Sequence, residues 1–272
     1  MIHKRKKYLI YGFILFSLFA FLFPIIWVIL TSIKTPAQAF QIPPVWFFKP
    51  SMENYLEVFR SQAFFYYFLN SLIVTISSTL LSLVIGTMAG YGLARFKIKG
   101  QKIISFSVFF TKMFPPIVLV VPFFILFRNI GGTDSLIALI ISYTTFNLPF
   151  VTWLMWGFLK EIPMDLEEAA LIDGTSRFGA MTKIILPLAK PGLAVASIFA
   201  AMNSWNEFLF ALSLTGVKAK TLPVMASNFV TQEAILWGPV TATGTMLMLP
   251  MFIFTILIQK HIVSGLAMGA VK

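Results

Sequence analysis

Residues 163–187 read PMDLEEAALIDGTSRFGAMTKIILP and form the one long charged segment between two strongly apolar ones. The chain has ten acidic residues, and four of them fall here: Asp165, Glu167, Glu168 and Asp173. The runs on either side are too apolar to stay in water. We therefore expect the apolar runs to lie within a membrane and this charged segment to lie at its surface.

Composition excludes a soluble protein. Hydrophobic residues make up 58% of the 272 residues and charged residues only 11%, whereas soluble domains carry about 25% charge. The net charge of +11 lies in short clusters between apolar runs, so it indicates membrane topology and not nucleic-acid binding. With no cysteine, and histidines only at His3 and His261, we expect neither a disulfide nor a metal site.

Six predominantly apolar runs are each long enough to cross a hydrocarbon core of about 30 Å. They predict an all-α membrane protein with spans at 8–33, 64–94, 103–127, 135–158, 192–214 and 240–258. The first run has an alternative interpretation as a cleavable signal peptide. We favour a retained helix, because the run far exceeds the ~7–15 residues of a usual signal h-region.

The distribution of lysine and arginine predicts the orientation. The loops on one side, with both termini, hold 14 of these residues, and the loops on the other side hold 6. Because positive charge accumulates on the cytoplasmic side, both termini are expected inside (N-in/C-in). Segment 163–187 is then cytoplasmic.

Two features predict the shape of individual spans. Gly86 and Gly90 lie four residues apart on one helix face, which permits close packing against another helix. Pro115 and Pro116 follow Lys112 closely, so we expect the third span to be bent or broken there.

The segment itself is predicted to form two short helices. Pro163 suits the first turn, and the acids Asp165, Glu167 and Glu168 match the positive end of the helix dipole. Leu166, Ala169 and Ala170 form a narrow apolar face, Gly174 ends the helix, and Thr175 or Ser176 caps the next one. The segment is a docking element and no catalytic centre; the competing interpretation is a solvated linker.

The spacing Glu168-Ala169-Ala170, Gly174, Ile184 and Leu186-Pro187 resembles the EAA loop of ABC-importer permeases. Flanking motifs resemble the carbohydrate-uptake permeases of the maltose-transporter type, in particular the smaller six-span partner. These motifs are Met113-Phe114-Pro115-Pro116, Gly157-Phe158, Ile162-Pro163, Trp205-Asn206-Glu207-Phe208 and Gly269-Ala270-Val271-Lys272. The resemblance spans nearly the whole chain and implies the type I importer architecture, a single permease domain with a cytoplasmic coupling helix.

The resemblance also implies roles and partners. The first helix would lie in a cleft of an ATPase subunit. The contact residues would be Glu167, Glu168, Ala169, Ala170, Asp173 and Gly174. The partners would be a second homologous permease, two ATP-binding cassette subunits, an extracytoplasmic solute-binding protein and a sugar, in the cytoplasmic membrane of a bacterium or archaeon. The chain has no Gly-x4-Gly-Lys-Ser/Thr loop. ATP and Mg would therefore be bound by the ATPase subunits, and this chain is no enzyme and needs no cofactor.

Polar residues within apolar runs are candidates for the substrate pathway: Lys112, Asn203, Trp205, Asn206 and Glu207. Each has a second interpretation. Lys112 can snorkel to the interface, the amides and the carboxylate can hydrogen-bond neighbouring helices, and Trp205 can fill a helix interface in place of stacking on a sugar.

Two other functions compete. An ABC permease for amino acids or phosphate would have the same loop, and only the flanking motifs favour sugar. An ion-coupled secondary transporter would need ion sites across several spans, but Glu207 is the main acidic residue within them.

Overall fold

A computed structural model of the chain describes residues 2–60, 63–231 and 234–270. Most of this part is helical, and an isolated bridge joins Val230 to Ile235. The predicted all-α class is confirmed for it. Val271 and Lys272, which belong to the predicted terminal motif, lie outside the described residues.

The longer helices carry the apolar runs. They are α1 (Ile2–Ser32), α4 (Ala63–Arg95), α5 (Gln101–Phe110), α6 (Pro116–Asn129), α7 (Leu136–Glu161), α11 (Lys190–Trp205) and α14 (Trp237–Ala270). Short helices connect them: α2 (Pro36–Ala39), α3 (Glu53–Arg60), α8 (Asp165–Ile172), α9 (Arg177–Ala180), α10 (Leu186–Leu188), α12 (Leu209–Leu214) and α13 (Leu222–Ser227).

Four of the described helices are long and apolar enough to cross a membrane: α4 and α7 in full, and the parts Lys6–Ser32 of α1 and Trp237–Ile256 of α14. Two helix pairs reach that length only if each bent pair counts as one span. One is Gln101–Met113 with Pro116–Asn129, bent by 93°, and the other is Arg177–Leu188 with Lys190–Trp205, bent by 79°. The six-span count is therefore a prediction that the helix lengths permit.

The third predicted span is broken where the prolines stand. Helix α5 ends at Phe110, a 3-10 turn covers Thr111–Met113, and Phe114 and Pro115 adopt extended backbone before α6 begins. Pro116 occupies the first turn of α6, where its missing N–H costs no hydrogen bond. The break at Lys112 was expected from the sequence.

The fifth predicted span, 192–214, is also divided, which the sequence analysis did not foresee. Helix α11 ends at Trp205, and α12 begins at Leu209. The Glu207 carboxylate lies in the gap and accepts hydrogen bonds from the backbone N–H of Phe210 at 3.0 Å and of Ala211 at 3.2 Å. A side chain that accepts hydrogen bonds from the free N–H groups at a helix start stabilises that helix. Glu207 therefore caps the start of α12 after the break.

The chain separates into two compact units. The first comprises Met1–Tyr66 and Met225–Pro250. Within it the buried Asn54 of α3 donates hydrogen bonds to the carbonyl oxygens of Ser32 at 2.9 Å and Lys34 at 2.6 Å. These bonds occupy carbonyls that the end of α1 leaves free, and they hold α3 against that end.

The second unit comprises Tyr67–Val224 and Met251–Lys272 and contains the candidate site. Helix α7 packs along α11, and α4 approaches α7 through the two predicted glycines. A Cβ atom on Gly86 would lie 2.7 Å from Val151 Cγ1, and one on Gly90 would lie 2.9 Å from the backbone nitrogen of Trp156. The predicted close packing at Gly86 and Gly90 is confirmed.

Candidate functional site

The first helix of segment 163–187 is α8, which has Asp165, Glu167 and Glu168 in its first turn. Pro163 precedes the helix by two residues and does not lie within its first turn as predicted. At the other end Gly174 has φ +84°, and the N–H of Thr175 donates to the Ala170 carbonyl at 3.0 Å. The N–H of Gly174 donates to the Leu171 carbonyl at 3.1 Å. This pair of bonds is a Schellman motif, so Gly174 ends the helix as predicted.

The second helix of the segment begins at Ser176. Its hydroxyl accepts a hydrogen bond from the N–H of Gly179 at 3.1 Å, which makes Ser176, and not Thr175, the side-chain cap. Helix α9 continues through a π-helical turn, Met181–Ile185, into α10. The chain then turns into α11, so the segment leads directly into a predicted span.

Helix α8 divides the predicted contact residues into two sets. Glu167 and Ala170 are each 4% exposed and face the interior of the unit. The exposed set is Glu168, Ala169, Asp173 and Gly174. Leu166 and Ile172 are also exposed, at 44% and 86%. The apolar face predicted from Leu166, Ala169 and Ala170 is therefore not one surface, because Ala170 points inward. We call the exposed set with Leu166 and Ile172 the docking edge.

Glu167 is buried because the end of α4 supplies its partners. Its Oε2 lies 2.9 Å from Nε of Arg95, and its Oε1 accepts a hydrogen bond from the hydroxyl of Tyr91. Arg95 also donates from Nη2 to the Ile162 carbonyl at 3.0 Å. Tyr91 and Arg95 were not among the residues predicted from the sequence. The available signal was their four-residue spacing, which places both on one face of α4.

The pathway candidates do not all lie together. A cavity of about 550 Å³ beside the break of the third span is lined by Lys112, Asn203 and Glu207, with further polar groups from Thr111, Tyr143, Asn147 and Ser204. Trp205 is 2% exposed and lies edge-on to Phe68 with ring centroids 6.0 Å apart. Asn206 donates to the Met202 carbonyl at 2.9 Å and is exposed. Neither Trp205 nor Asn206 is among the cavity's lining residues.

One wall of the cavity is held by a buried polar network between α4, α7 and α11. Asn147 donates to Ser204 Oγ at 2.8 Å, and Ser204 Oγ lies 2.9 Å from Ser78 Oγ. Asn203 donates to Asn147 Oδ1 at 3.4 Å. Buried polar groups are costly unless hydrogen-bonded, and these bonds fix the register of the three helices around the cavity.

Asp134 organises the loop after α12. It has φ +55° and its carboxylate accepts hydrogen bonds, at 2.9 to 3.1 Å, from the backbone N–H groups of Gly216, Val217, Lys218 and Ala219. Burial raises the pKa of Asp134, but the four N–H groups outweigh it and lower the pKa from 3.8 to about 2. Asn70 supports the same loop by donating to the carbonyls of Lys218 and Lys220, both at 2.9 Å.

We expect Asp134→Asn to loosen this loop. Losing the charge-assisted bonds, worth about 1.5 kcal/mol, should speed amide hydrogen exchange at 216–219 about tenfold at neutral pH, with Asp165→Asn as the control. Because the folded pKa is below the ordinary value, the carboxylate's stabilisation is complete above about pH 4 and is lost as pH falls towards 2. The difference in melting temperature between wild type and variant should shrink over that range. Equal exchange rates at neutral pH would contradict the assignment.

Among the described residues, no group of three or more histidine, cysteine, aspartate or glutamate side chains is placed to hold a metal ion. The described site offers an exposed helix edge at α8 and polar groups that line the cavity.

An all-helical chain with broken spans and this short exposed helix agrees with the architecture that the EAA resemblance implies, the membrane component of an ABC importer. Residues 82–267 match the family of binding-protein-dependent transport system inner membrane components, and the chain belongs to that family. The resemblance expected from the EAA spacing is confirmed.

Several relatives are named as permeases for sugars. The chain is 38% identical over 253 residues to the sulfoquinovosyl glycerol transport system permease protein SmoH of Agrobacterium fabrum, covering 92% of this chain and 89% of that protein. It is 36% identical over 272 residues to the trehalose/maltose transport system permease protein MalG of Thermococcus litoralis, covering 98% and 97%. Its fold is similar to a chain of a bacterial ABC transporter involved in the import of the polysaccharide alginate, with TM-score 0.76, 25% identity, and coverage of 95% and 98%.

Proposed function

We propose that this chain is one of two permease subunits of an ATP-driven importer for a sugar or oligosaccharide. The observation that carries the proposal is the family match over 82–267, which contains the whole of segment 163–187. The sugar assignment is supported by relatives that are named for transport of a sulfoquinovosyl glycerol and of trehalose and maltose.

Six spans with both termini in the cytoplasm complete the topology. The excess of lysine and arginine on one side supports it. The described helices allow six crossings if α5 with α6 forms the third crossing and α11 with α12 forms the fifth. The membrane is then the cytoplasmic membrane of a bacterium or archaeon. The docking edge of α8 faces the cytoplasm.

The docking edge contacts an ATP-binding cassette subunit. Glu168 and Ala169 lie at its centre and are exposed. Asp173 and Gly174 follow the last residue of α8 and form the end of the docking edge. A small residue at position 169 lets another surface approach the helix closely. Glu167 and Ala170 act from the buried side, where they hold the helix in place.

The cavity beside Lys112 belongs to the translocation pathway. Its volume of about 550 Å³ lies within the ~300–1,000 Å³ range of small-molecule sites. Asn203, Lys112 and Glu207 present amide, ammonium and carboxylate groups that hydrogen-bond hydroxyl-rich ligands. We do not assign Trp205 and Asn206 to the pathway, because neither lines the cavity.

The remaining partners follow from the type of importer. A second homologous permease completes the pathway, two ATPase subunits bind ATP and Mg, and an extracytoplasmic binding protein delivers the sugar. The chain itself catalyses no reaction and holds no cofactor. Access alternates between the two sides as the spans rock.

The test is uptake by liposomes that contain the chain with its copurifying permease and ATPase subunits, supplied with its binding protein. In liposomes whose ATPase subunits face the lumen, we expect labelled trehalose or maltose to accumulate only when ATP is enclosed in the lumen. Uptake driven by a proton or sodium gradient without ATP would favour a secondary transporter. ATP-driven uptake of amino acids or phosphate, with no sugar uptake, would overturn the substrate assignment alone.

A further inference from the structure

The buried side of α8 is tied to the end of α4 by charge. The Glu167 carboxylate meets the Arg95 guanidinium at 2.9 Å, and their side chains are 6% and 2% exposed. The Tyr91 hydroxyl donates to the same carboxylate. Two groups, four residues apart on one helix, therefore hold one carboxylate from two directions.

This arrangement restricts the orientation of α8 relative to α4 more than an apolar contact would. Buried ion pairs contribute little net stability compared with hydrophobic residues of similar volume, and their best-attested use is to specify one geometry. Ala170 alone, the other buried residue of α8, would let the helix rotate about its axis. The ion pair with Arg95 and the hydrogen bond from Tyr91 together set both the rotation of α8 and its distance from α4.

Two further contacts tie the same segment to the same helix end. Arg95 donates to the carbonyl of Ile162, three residues before α8 begins. Beyond α8, the guanidinium of Arg177 lies over the ring of Phe96 at 5.2 Å from its centroid. Residues at the end of α4 and directly after it therefore contact the chain before α8, the helix itself and the chain after it.

These contacts matter because α4 is distant in the chain. Helix α8 is linked covalently to α7 before it and, through α9 and α10, to α11 after it. A movement of α8 reaches α4 through side-chain contacts. We propose that Glu167, Arg95 and Tyr91 are positioning residues that make α8 a rigid extension of α4, so that movement imposed on α8 displaces the second span.

This proposal rests on the proposed function, and its first test uses the otherwise native chain. Because the chain has no cysteine, Asp165→Cys in α8 and Met88→Cys in α4, both exposed, give one pair of spin labels on this chain when it is labelled before assembly with the other subunits. We expect the same narrow distance distribution without nucleotide and with ATP bound. A change of several Å between the two states would overturn the proposal.

The second test removes both charges together. Arg95→Met with Glu167→Leu leaves no unpaired buried charge, so the complex is expected to assemble. ATP turnover should persist, but sugar uptake per ATP should fall about tenfold, a typical size for a coupling effect, and the label distances should broaden. Glu161→Gln, an exposed carboxylate at the end of α7, should leave the ratio unchanged.

The outcomes separate this proposal from the function on which it rests. A double variant with the wild-type ratio and a narrow distance distribution would overturn the positioning role, while ATP-driven uptake would stand. Wild-type complexes without any ATP-driven uptake would overturn the proposed function itself. If the double variant fails to assemble, the distance measurement on the native pair decides.

Discussion

Gly90→Leu is expected to prevent α4 from packing on α7 and to lower the yield of folded permease severely. A Cβ atom there would lie 2.9 Å from the nitrogen of Trp156 and 3.0 Å from the carbonyl oxygen of Thr152. Both atoms belong to backbone and cannot move aside by changing rotamer. Overpacking of this kind costs about 3 kcal/mol, or roughly 5–10 °C in melting temperature for a chain of this size.

Gly92 supplies the matched control. It lies two residues further along the same helix, and a Cβ atom there would meet nothing within 4 Å. Gly92→Leu makes the same chemical change and should melt near the wild-type temperature in detergent. Equal destabilisation by the two substitutions would mean that helix propensity or lipid contact, and not the approach of α7, determines the result.

Local chemistry accounts for the parts of the fold that were predictable. The break of the third span follows from Pro115 and Pro116, which cannot continue a helix. The end of α8 follows from Gly174, whose φ of +84° only glycine adopts readily. The family resemblance likewise rests on spacing within one short segment.

Long-range contacts account for what the sequence could not predict. Glu167 and Glu168 are adjacent and chemically identical, yet one is buried and the other exposed. The difference depends on Arg95, which lies 72 positions before Glu167. Likewise, Glu207 was predicted only as a pathway group, and the sequence did not indicate that its carboxylate also accepts hydrogen bonds from the start of α12. No periodicity in the sequence encodes such partners.

The central claim is that the docking edge of α8 binds an ATPase subunit. The side chain of Ile172 is 86% exposed on that edge, whereas the side chain of Ala170 faces the interior and is 4% exposed. Val217, which is 74% exposed, lies in the loop predicted to face outside. Since the chain has no cysteine, each position can carry a single cysteine without other changes.

The most direct measurement is photo-cross-linking of the assembled transporter after labelling with a maleimide benzophenone. Ile172→Cys should label readily and cross-link to the ATPase subunit in most complexes. Ala170→Cys should label poorly because its side chain is buried, and Val217→Cys should label without forming that cross-link. Full labelling at position 172 with no ATPase cross-link, in complexes that still hydrolyse ATP, would contradict the account.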